Sequence, residues 1–407
     1  MLWIVIGFIT IMFMLDLFVS LINYNQRKLP LPENVKGIYD DEAYTKWLAY
    51  SMEKLKMELI GKTINLIMMI GFLAFGFFRA LDQFTLSLSS NPIVSTLLFL
   101  GLFMGGTFIL GLPFEWIDTF KIETKYGFNK TSVKTFWIDQ IKGLVLGGLL
   151  LGILIVILQS LYLLFIDQLI QFGIWAFVAI SLITILLFFF SRLFVRVFNK
   201  LQPIEEGELK EKINALAQKC GFRVKSVFVM DGSKRSTKLN GFYTGFGKTG
   251  EIVLFDTLIN KMTHEEILAV LAHELGHAKN GDTVRMLGVQ NIQMGYYIAL
   301  ISVILMNPAL FTPFGFPGVH FGFAFILFTV LAEPLSLILS FVSNGLLRIA
   351  ETKADAYAVE MTSKETMSSV LRILAAENFS NLNPHPLYVQ MHYSHPPVSQ
   401  RLSDINK

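Results

Sequence analysis

The chain has 407 residues, of which 53% are hydrophobic, 37 are phenylalanine and only 16% are charged. Its mean hydropathy of +0.54 excludes a soluble domain of ordinary composition and marks a membrane protein. A net charge of +3 is too mild for a nucleic-acid binder, and the lone Cys220 excludes an intrachain disulfide and a cysteine-based metal cluster.

In chain order, hydropathy predicts seven membrane spans, at about 2–22, 63–81, 93–113, 143–166, 171–191, 286–307 and 319–347. Most carry the run of about 20 apolar residues that a helix needs to cross the hydrocarbon core. The first has no basic residue before it and no small-residue cleavage site after it, so it reads as a membrane helix and not a signal peptide. The second ends at Arg79 and the sixth carries Gln290, Asn291 and Gln293, so both are expected to face a polar interior. In the fourth, Gly143, Gly147, Gly148 and Gly152 form small-xxx-small pairs that predict close helix packing. Asp16 in the first span and Glu333 in the last are intramembrane carboxylates that either tie helices together or line a hydrated chamber.

The loops sort by charge. Arg27, Lys28, Lys36, Lys46, Lys54, Lys56 and Lys62 lie between spans one and two, and Lys121, Lys125, Lys130, Lys134 and Lys142 between spans three and four. The alternate connections, 82–92, 167–170 and 308–318, contain no lysine or arginine. The positive-inside rule therefore puts the N-terminus outside, and the region between spans five and six and the C-terminus in the cytoplasm.

That polar region, about 192–285, opens with a charged helical stretch at 205–219 and continues with strand-like runs at 223–230, 239–246 and 251–255. The expected fold is a mainly α, polytopic membrane protein carrying a small α+β cytosolic domain. The expected division is a five-helix membrane region at 1–191, a catalytic domain at 192–285, spans six and seven at 286–347 and a C-terminal segment at 348–407.

Residues 273 to 277 read His-Glu-Leu-Gly-His. Two histidines four apart on a helix share one face, so His273 and His277 can bind a single Zn²⁺, with Glu274 beside the open position as a base for water. A catalytic zinc takes a third protein ligand. Arg348, Glu351 and Asp355 are spaced to project from one helical face, which makes Glu351 the natural third ligand and Asp355 the acceptor for a ligand histidine's free ring nitrogen. By pattern alone His392 is an alternative ligand. His395 and Arg401 are candidates to stabilise an oxyanion, and His264, His320, His385 and His392 are otherwise expected to be surface or structural.

Taken together these motifs resemble the type I CAAX prenyl endopeptidases, integral-membrane zinc proteases of the gluzincin group. The likeness lies in Phe120-Lys-Ile-Glu-Thr-Lys-Tyr-Gly-Phe-Asn-Lys130, in 232–246 followed by 252–258, in the zinc helix with Glu351 and Asp355, and in Ser394-His395-Pro396 with Arg401. The resemblance implies a seven-helix barrel around a water-filled chamber capped by the zinc domain. It implies one Zn²⁺ on His273, His277 and Glu351, Glu274 as general base, and substrate carbonyls contacted by His395 and Arg401. The strand of Asn240, Gly241 and Phe242 would pair with an extended peptide, and a tripeptide would be removed from the C-terminus of a prenylated Cys-a-a-X protein. Lys238-Leu239 replaces the His-Ser usual before Asn240 in eukaryotic members, and Ala278 replaces their usual tryptophan after the second zinc histidine, which suits a prokaryotic-like member. The membrane would then be the cell membrane, or the endoplasmic reticulum in a eukaryote.

Two other readings share some of these features. A heat-shock-type membrane zinc protease would cut unprenylated, misfolded proteins with the same chemistry, but the extra N-terminal helices and the 120–130 loop argue against it. A membrane scaffold or transporter with a zinc site would suit seven helices, but no pair of spans carries the interrupted, repeated pattern of secondary transporters.

Overall fold

The computed structural model describes residues 1–246 and 249–407. Its first part is helical: α1 (Leu2–Gln26), α2 (Asp41–Ala74), α3 (Phe77–Leu88), α4 (Pro92–Ile117), α5 (Val133–Leu164), α6 (Leu169–Phe189) and the short α7 (Ser191–Phe198). Next come β1 (Leu201–Pro203), α8 (Glu208–Lys219), β2 (Arg223–Met230), β3 (Gly241–Phe246), β4 (Thr249–Phe255), α9 (Asp256–Lys261) and α10 (His264–Asn280). The chain returns to apolar helices in α11 (Asp282–Leu305) and α12 (Phe321–Met361), and closes with α13 (Lys364–Glu377), α14 (Pro386–His392) and α15 (Val398–Ile405).

Among the described residues, seven helices are long and apolar enough to cross a membrane: α1, α2, α4 with its continuation to Tyr126, α5, α6, α11 and α12. In their apolar stretches only 6% to 22% of residues are buried, which leaves most of each helix surface accessible. The second span ends earlier than expected. α2 stops at Ala74, Gly76 takes φ +72, and the chain turns into α3, so Arg79 leaves the span and donates to the Gly315 carbonyl of the α11–α12 connection. The fourth-span glycines also depart from expectation. A Cβ added at Gly143, Gly147 or Gly148 meets nothing within 4 Å, and one at Gly152 meets only Leu97 at 4.0 Å, so they create no close helix contact within the described residues.

α12 carries the fold's main structural link. Its 41 residues reach about 60 Å at 1.5 Å per residue, twice the hydrocarbon thickness of about 30 Å. Span seven and the Glu351/Asp355 segment are therefore one continuous helix, which joins the membrane region to the catalytic domain. Around its first turns the membrane region packs on phenylalanine: Phe78, Phe99, Phe311, Phe316 and Phe323 are at most 2% exposed. His320 belongs to this cluster, with Nε2 3.0 Å from Asp82 Oδ1 and Nδ1 accepting from the Phe323 N–H at 2.8 Å. Between α1, α2 and α12 lies a cavity of about 660 Å³, lined by Asp16, Lys62, Asn65, Glu333 and Ser336. Both intramembrane acids line it, and Asp16 also ties α1 to α2 by accepting from Lys62 Nζ at 2.6 Å.

The sheet of the catalytic domain has the order β1-β2-β4-β3, with β2 and β4 parallel and the other two pairs antiparallel. β1 was not foreseen; three residues give no alternation to read. The sheet packs against α8 and α10, and α13 and α15 close the same core from beyond α10, which joins Leu254 of β4 to Ile213, Leu271, Leu371 and Leu402. β3 is an edge strand, and it packs beside α10.

Candidate metal centre

α10 starts at a capping box: Thr263 Oγ1 accepts from the Glu266 N–H, and Glu266 Oε2 accepts from the Thr263 N–H at 2.9 Å. Glu266 also accepts from Ser369 Oγ at 2.6 Å, which ties α10 to α13. Ile267, Leu271 and Leu275 bury one face of α10 in the domain core and so set the helix's rotation. Gly276 lets α12 come close, since a Cβ there would stand 3.1 Å from Ala354 Cα.

This packing brings His273, His277 and Glu351 together. Their ligand atoms lie within 4.8 Å of one another. His273 Nε2 is 3.2 Å from His277 Nε2 and 3.4 Å from Glu351 Oε2, and His277 Nε2 is 3.2 Å from Glu351 Oε1. Ligands at about 2.0–2.1 Å around a tetrahedral Zn²⁺ stand about 3.3 Å apart, so the three atoms fit one ion. Among the described residues Glu351 Oε2 is buried without a hydrogen-bond partner, and two imidazole nitrogens at this distance repel unless a cation or proton lies between them. The residues present suit the metal.

The other ring nitrogens are anchored by carboxylates. His273 Nδ1 lies 2.9 Å from Asp355 Oδ1, close enough for an ion pair although not aligned as a linear hydrogen bond. Asp355 is in turn gripped by Arg401, with Nε 2.7 Å from Oδ2. His277 Nδ1 lies 3.0 Å from Asp282 Oδ2, and Asp282 accepts from Arg285 Nη1 at 3.1 Å. Burial alone would favour neutral His273, but the Asp355 and Glu351 carboxylates outweigh it and lift its pKa to about 9. His277 is raised as well, burial again being outweighed, chiefly by Glu351. For Arg401, burial is outweighed by Asp355 and its pKa also rises. The centre thus holds a proton strongly in the place where a metal cation would sit.

A cavity of about 540 Å³ opens on this centre, lined by His273, Glu274, Glu351, His395 and Arg401 on one side and Leu239, Asn240 and Gly241 on the other. His395 Nε2 reaches Glu351 Oε1 at 3.1 Å, and its side chain is 60% exposed. Arg401 Nη2 is 3.8 Å from Glu351 Oε2. Arg348 does not reach the metal centre. It donates to the Val389 and Tyr393 carbonyls at 3.1 and 2.7 Å and so holds the segment that carries His395.

The description "Peptidase family M48" matches residues 203–407, and "CAAX prenyl protease N-terminal, five membrane helices" matches 20–200. The chain is 35% identical to the CAAX prenyl protease 1 homolog of Arabidopsis thaliana, over 99% of this chain and 96% of that protein. It is 32% identical to CAAX prenyl protease 1 of Saccharomyces cerevisiae, over 96% and 92%. The crystal structure of S. mikatae Ste24p superposes with a TM-score of 0.94 at 30% identity, covering 100% of this chain and 99% of that one.

The chain belongs to the CAAX prenyl proteases of peptidase family M48. It is a multi-pass membrane zinc metalloendopeptidase acting on peptide or protein substrates.

Within this M48 protease most of the foreseen site residues meet around one cavity, and two readings depart from it: Phe242 lies elsewhere and His392 is not part of the metal group. Phe242 lines a separate cavity of about 350 Å³, between β3, the end of α6 and the start of α11. His392 lines the zinc cavity and the intramembrane one but stands outside the His273/His277/Glu351 group; it stacks on Tyr388 at 4.5 Å, and burial lowers its pKa. Asp282 was missed. Its signal is faint: Gly281, at φ +68, turns the chain sharply between α10 and α11 and brings Asp282 under His277. Asn378, also on the zinc cavity, was missed because its partner Leu239 lies 139 residues away in sequence.

Proposed function

We propose that this protease removes the C-terminal tripeptide of prenylated Cys-a-a-X proteins, with its catalytic domain in the cytoplasm. The observation that carries the reading is the shared cavity, which is lined both by the metal centre and by Leu239, Asn240 and Gly241 at the start of edge strand β3. An edge strand offers unpaired peptide groups to an extended peptide. Full-length similarity in both halves favours this reading over shorter heat-shock-type proteases. The lysine-rich loops between spans one and two and between spans three and four support the topology.

His273, His277 and Glu351 would hold the zinc, which when bound polarises the scissile carbonyl and lowers the pKa of water toward about 7. Asp282 and Asp355 orient the two imidazoles so that both Nε2 lone pairs face Glu351. Glu274 accepts a proton from the attacking water and returns it to the leaving amine. His395, exposed to the cavity, donates to the oxyanion that develops on the carbonyl. Arg401 acts mainly through Asp355, because its guanidinium is committed to that carboxylate. Asn240 and Gly241 align the peptide.

The test uses purified protein with a quenched-fluorescent Cys-a-a-X peptide, farnesylated or unmodified. Cleavage confined to the farnesylated peptide is expected. Equal cleavage of both would replace this reading with the quality-control one, and zinc-loaded protein that cuts neither would overturn it.

A further inference from the structure

We propose that Asn378 is a positioning residue that closes the pairing edge of β3 and so sets how many substrate residues lie beyond the cut bond. The proposal rests on the strand addition described above.

The Phe255 N–H donates to the Asn240 carbonyl at 3.1 Å, and the β3/β4 register pairs Gly241 with Leu254. In an antiparallel ladder the peptide groups alternate, so those of Asn240, Phe242 and Thr244 turn toward β4, and those of Leu239, Gly241 and Gly245 turn away. The outward groups are what an added strand would read. Leu239 is withdrawn from that set: its N–H donates to Asn378 Oδ1 at 2.9 Å and its carbonyl accepts from Asn378 Nδ2 at 3.2 Å. One carboxamide supplies the donor and the acceptor that a neighbouring strand would supply. The next outward residue, Gly241, gives its N–H to the adjacent Asn240 Oδ1 at 2.8 Å, a local bond that an incoming carbonyl can replace.

The placement of Asn378 is enforced. It caps α13, and Phe379 follows at φ +51, where a helix end ordinarily carries glycine. The turn closes as the Ser380 N–H donates to the Ala375 carbonyl at 3.0 Å and the Phe379 N–H to the Ala376 carbonyl at 3.4 Å. A bulky residue is strained there and persists because its surroundings over-determine it. The Phe379 ring meets those of Phe128, Tyr50 and Tyr39 at 4.8, 5.7 and 5.9 Å, and its carbonyl accepts from Trp47 Nε1 at 3.1 Å. Phe128 belongs to the 120–130 segment, whose backbone pairs with the approach to β3: the Lys130 N–H donates to Arg235 and the Thr237 N–H to Phe128, at 3.0 and 3.1 Å. The 120–130 motif thereby holds the plug and the strand in one frame.

At the plugged end the cavity is lined by Asn378, Ser380 and Asn381. A protein substrate can place its short C-terminal end there, while its body leaves along the other end of β3. It therefore runs antiparallel to β3, and Leu239 marks where its pairing stops.

The experiment compares the full-length, zinc-loaded protein with its Asn378→Ala and Asn378→Asp variants. Each is given a farnesylated Cys-a-a-X peptide and the same peptide extended by two residues. Asn378→Ala should raise kcat/KM for the extended peptide relative to the parent about tenfold, the gain expected from two freed ladder bonds. Mass spectrometry should then find a C-terminal fragment longer than three residues. Asn378→Asp keeps the acceptor and loses the donor, so it should move the ratio the same way by less; it decides the question if the alanine variant does not fold. An unchanged ratio, or equal loss on both peptides with the wild-type cleavage site, overturns the proposal. Equal cutting of farnesylated and unmodified peptides by the wild type would fail the prenyl reading alone, because the length ratio is read on either peptide.

Discussion

The metal wall and the substrate wall of the cavity are built differently. The proposed ligands sit on two helices, α10 and α12, whose backbones nearly touch at Gly276 and Ala354. Each histidine is oriented by one carboxylate, and each carboxylate by one arginine. The substrate wall draws instead on four separated stretches, 120–130, 235–241, 257 and 378–381, joined by backbone and side-chain hydrogen bonds and aromatic contacts. Damage to the metal wall should therefore appear as lost zinc or lost turnover, and damage to the substrate wall as altered KM or cleavage register.

The largest effect is expected at Glu274. Glu274→Gln should keep one zinc per chain by elemental analysis while kcat falls by about 10²–10⁴-fold, the range for a general base. Retained turnover would remove Glu274 from the mechanism. Next come the orienting acids. Asp282→Asn should weaken zinc binding in chelator competition by about 10–100-fold. Asp355→Asn should weaken it at least as much and also lower Tm, because it leaves the Arg401 guanidinium, 13% exposed, without its partner. If Asp282→Asn changes KM and not zinc affinity, the division between the two walls is wrong.

The pH dependence tests the same wall. In the metal-free protein the His273 pKa is raised to about 9, so a proton must leave before zinc binds, and affinity should fall about tenfold per unit as pH drops from 8 toward 6.5. Protonated His273 stabilises the metal-free fold fully below about 6.5, and that contribution is lost as pH rises through about 9. Thermal melts of metal-free protein should therefore weaken across this window, and those of the zinc-loaded protein should not. Gly276→Ala should cost about 1–3 kcal/mol by forcing α10 from α12, seen as a lower Tm with a smaller loss of zinc. At the other extreme, Gly147→Ala in α5 should leave Tm within the range of a surface substitution, about ±0.5 kcal/mol, since its Cβ meets nothing.

The sequence by itself determined what is local. Seven apolar runs, the helical spacing of His273 and His277, and the shared face of Glu351 and Asp355 all follow from periods of one helix. The break at Gly76 escaped this reading, because the apolar run continues from α2 into α3 and hydropathy does not register a change of direction. Tertiary structure decided what depends on distant partners. It placed Glu351, and not His392, beside His273 and His277, brought Asp282 under His277 through the turn at Gly281, and turned Arg401 toward Asp355. It also set Asn378 against Leu239. None of these choices has a period or a fixed spacing in the chain, because each is settled by which helices pack closely and which carboxylate is left to satisfy which buried nitrogen.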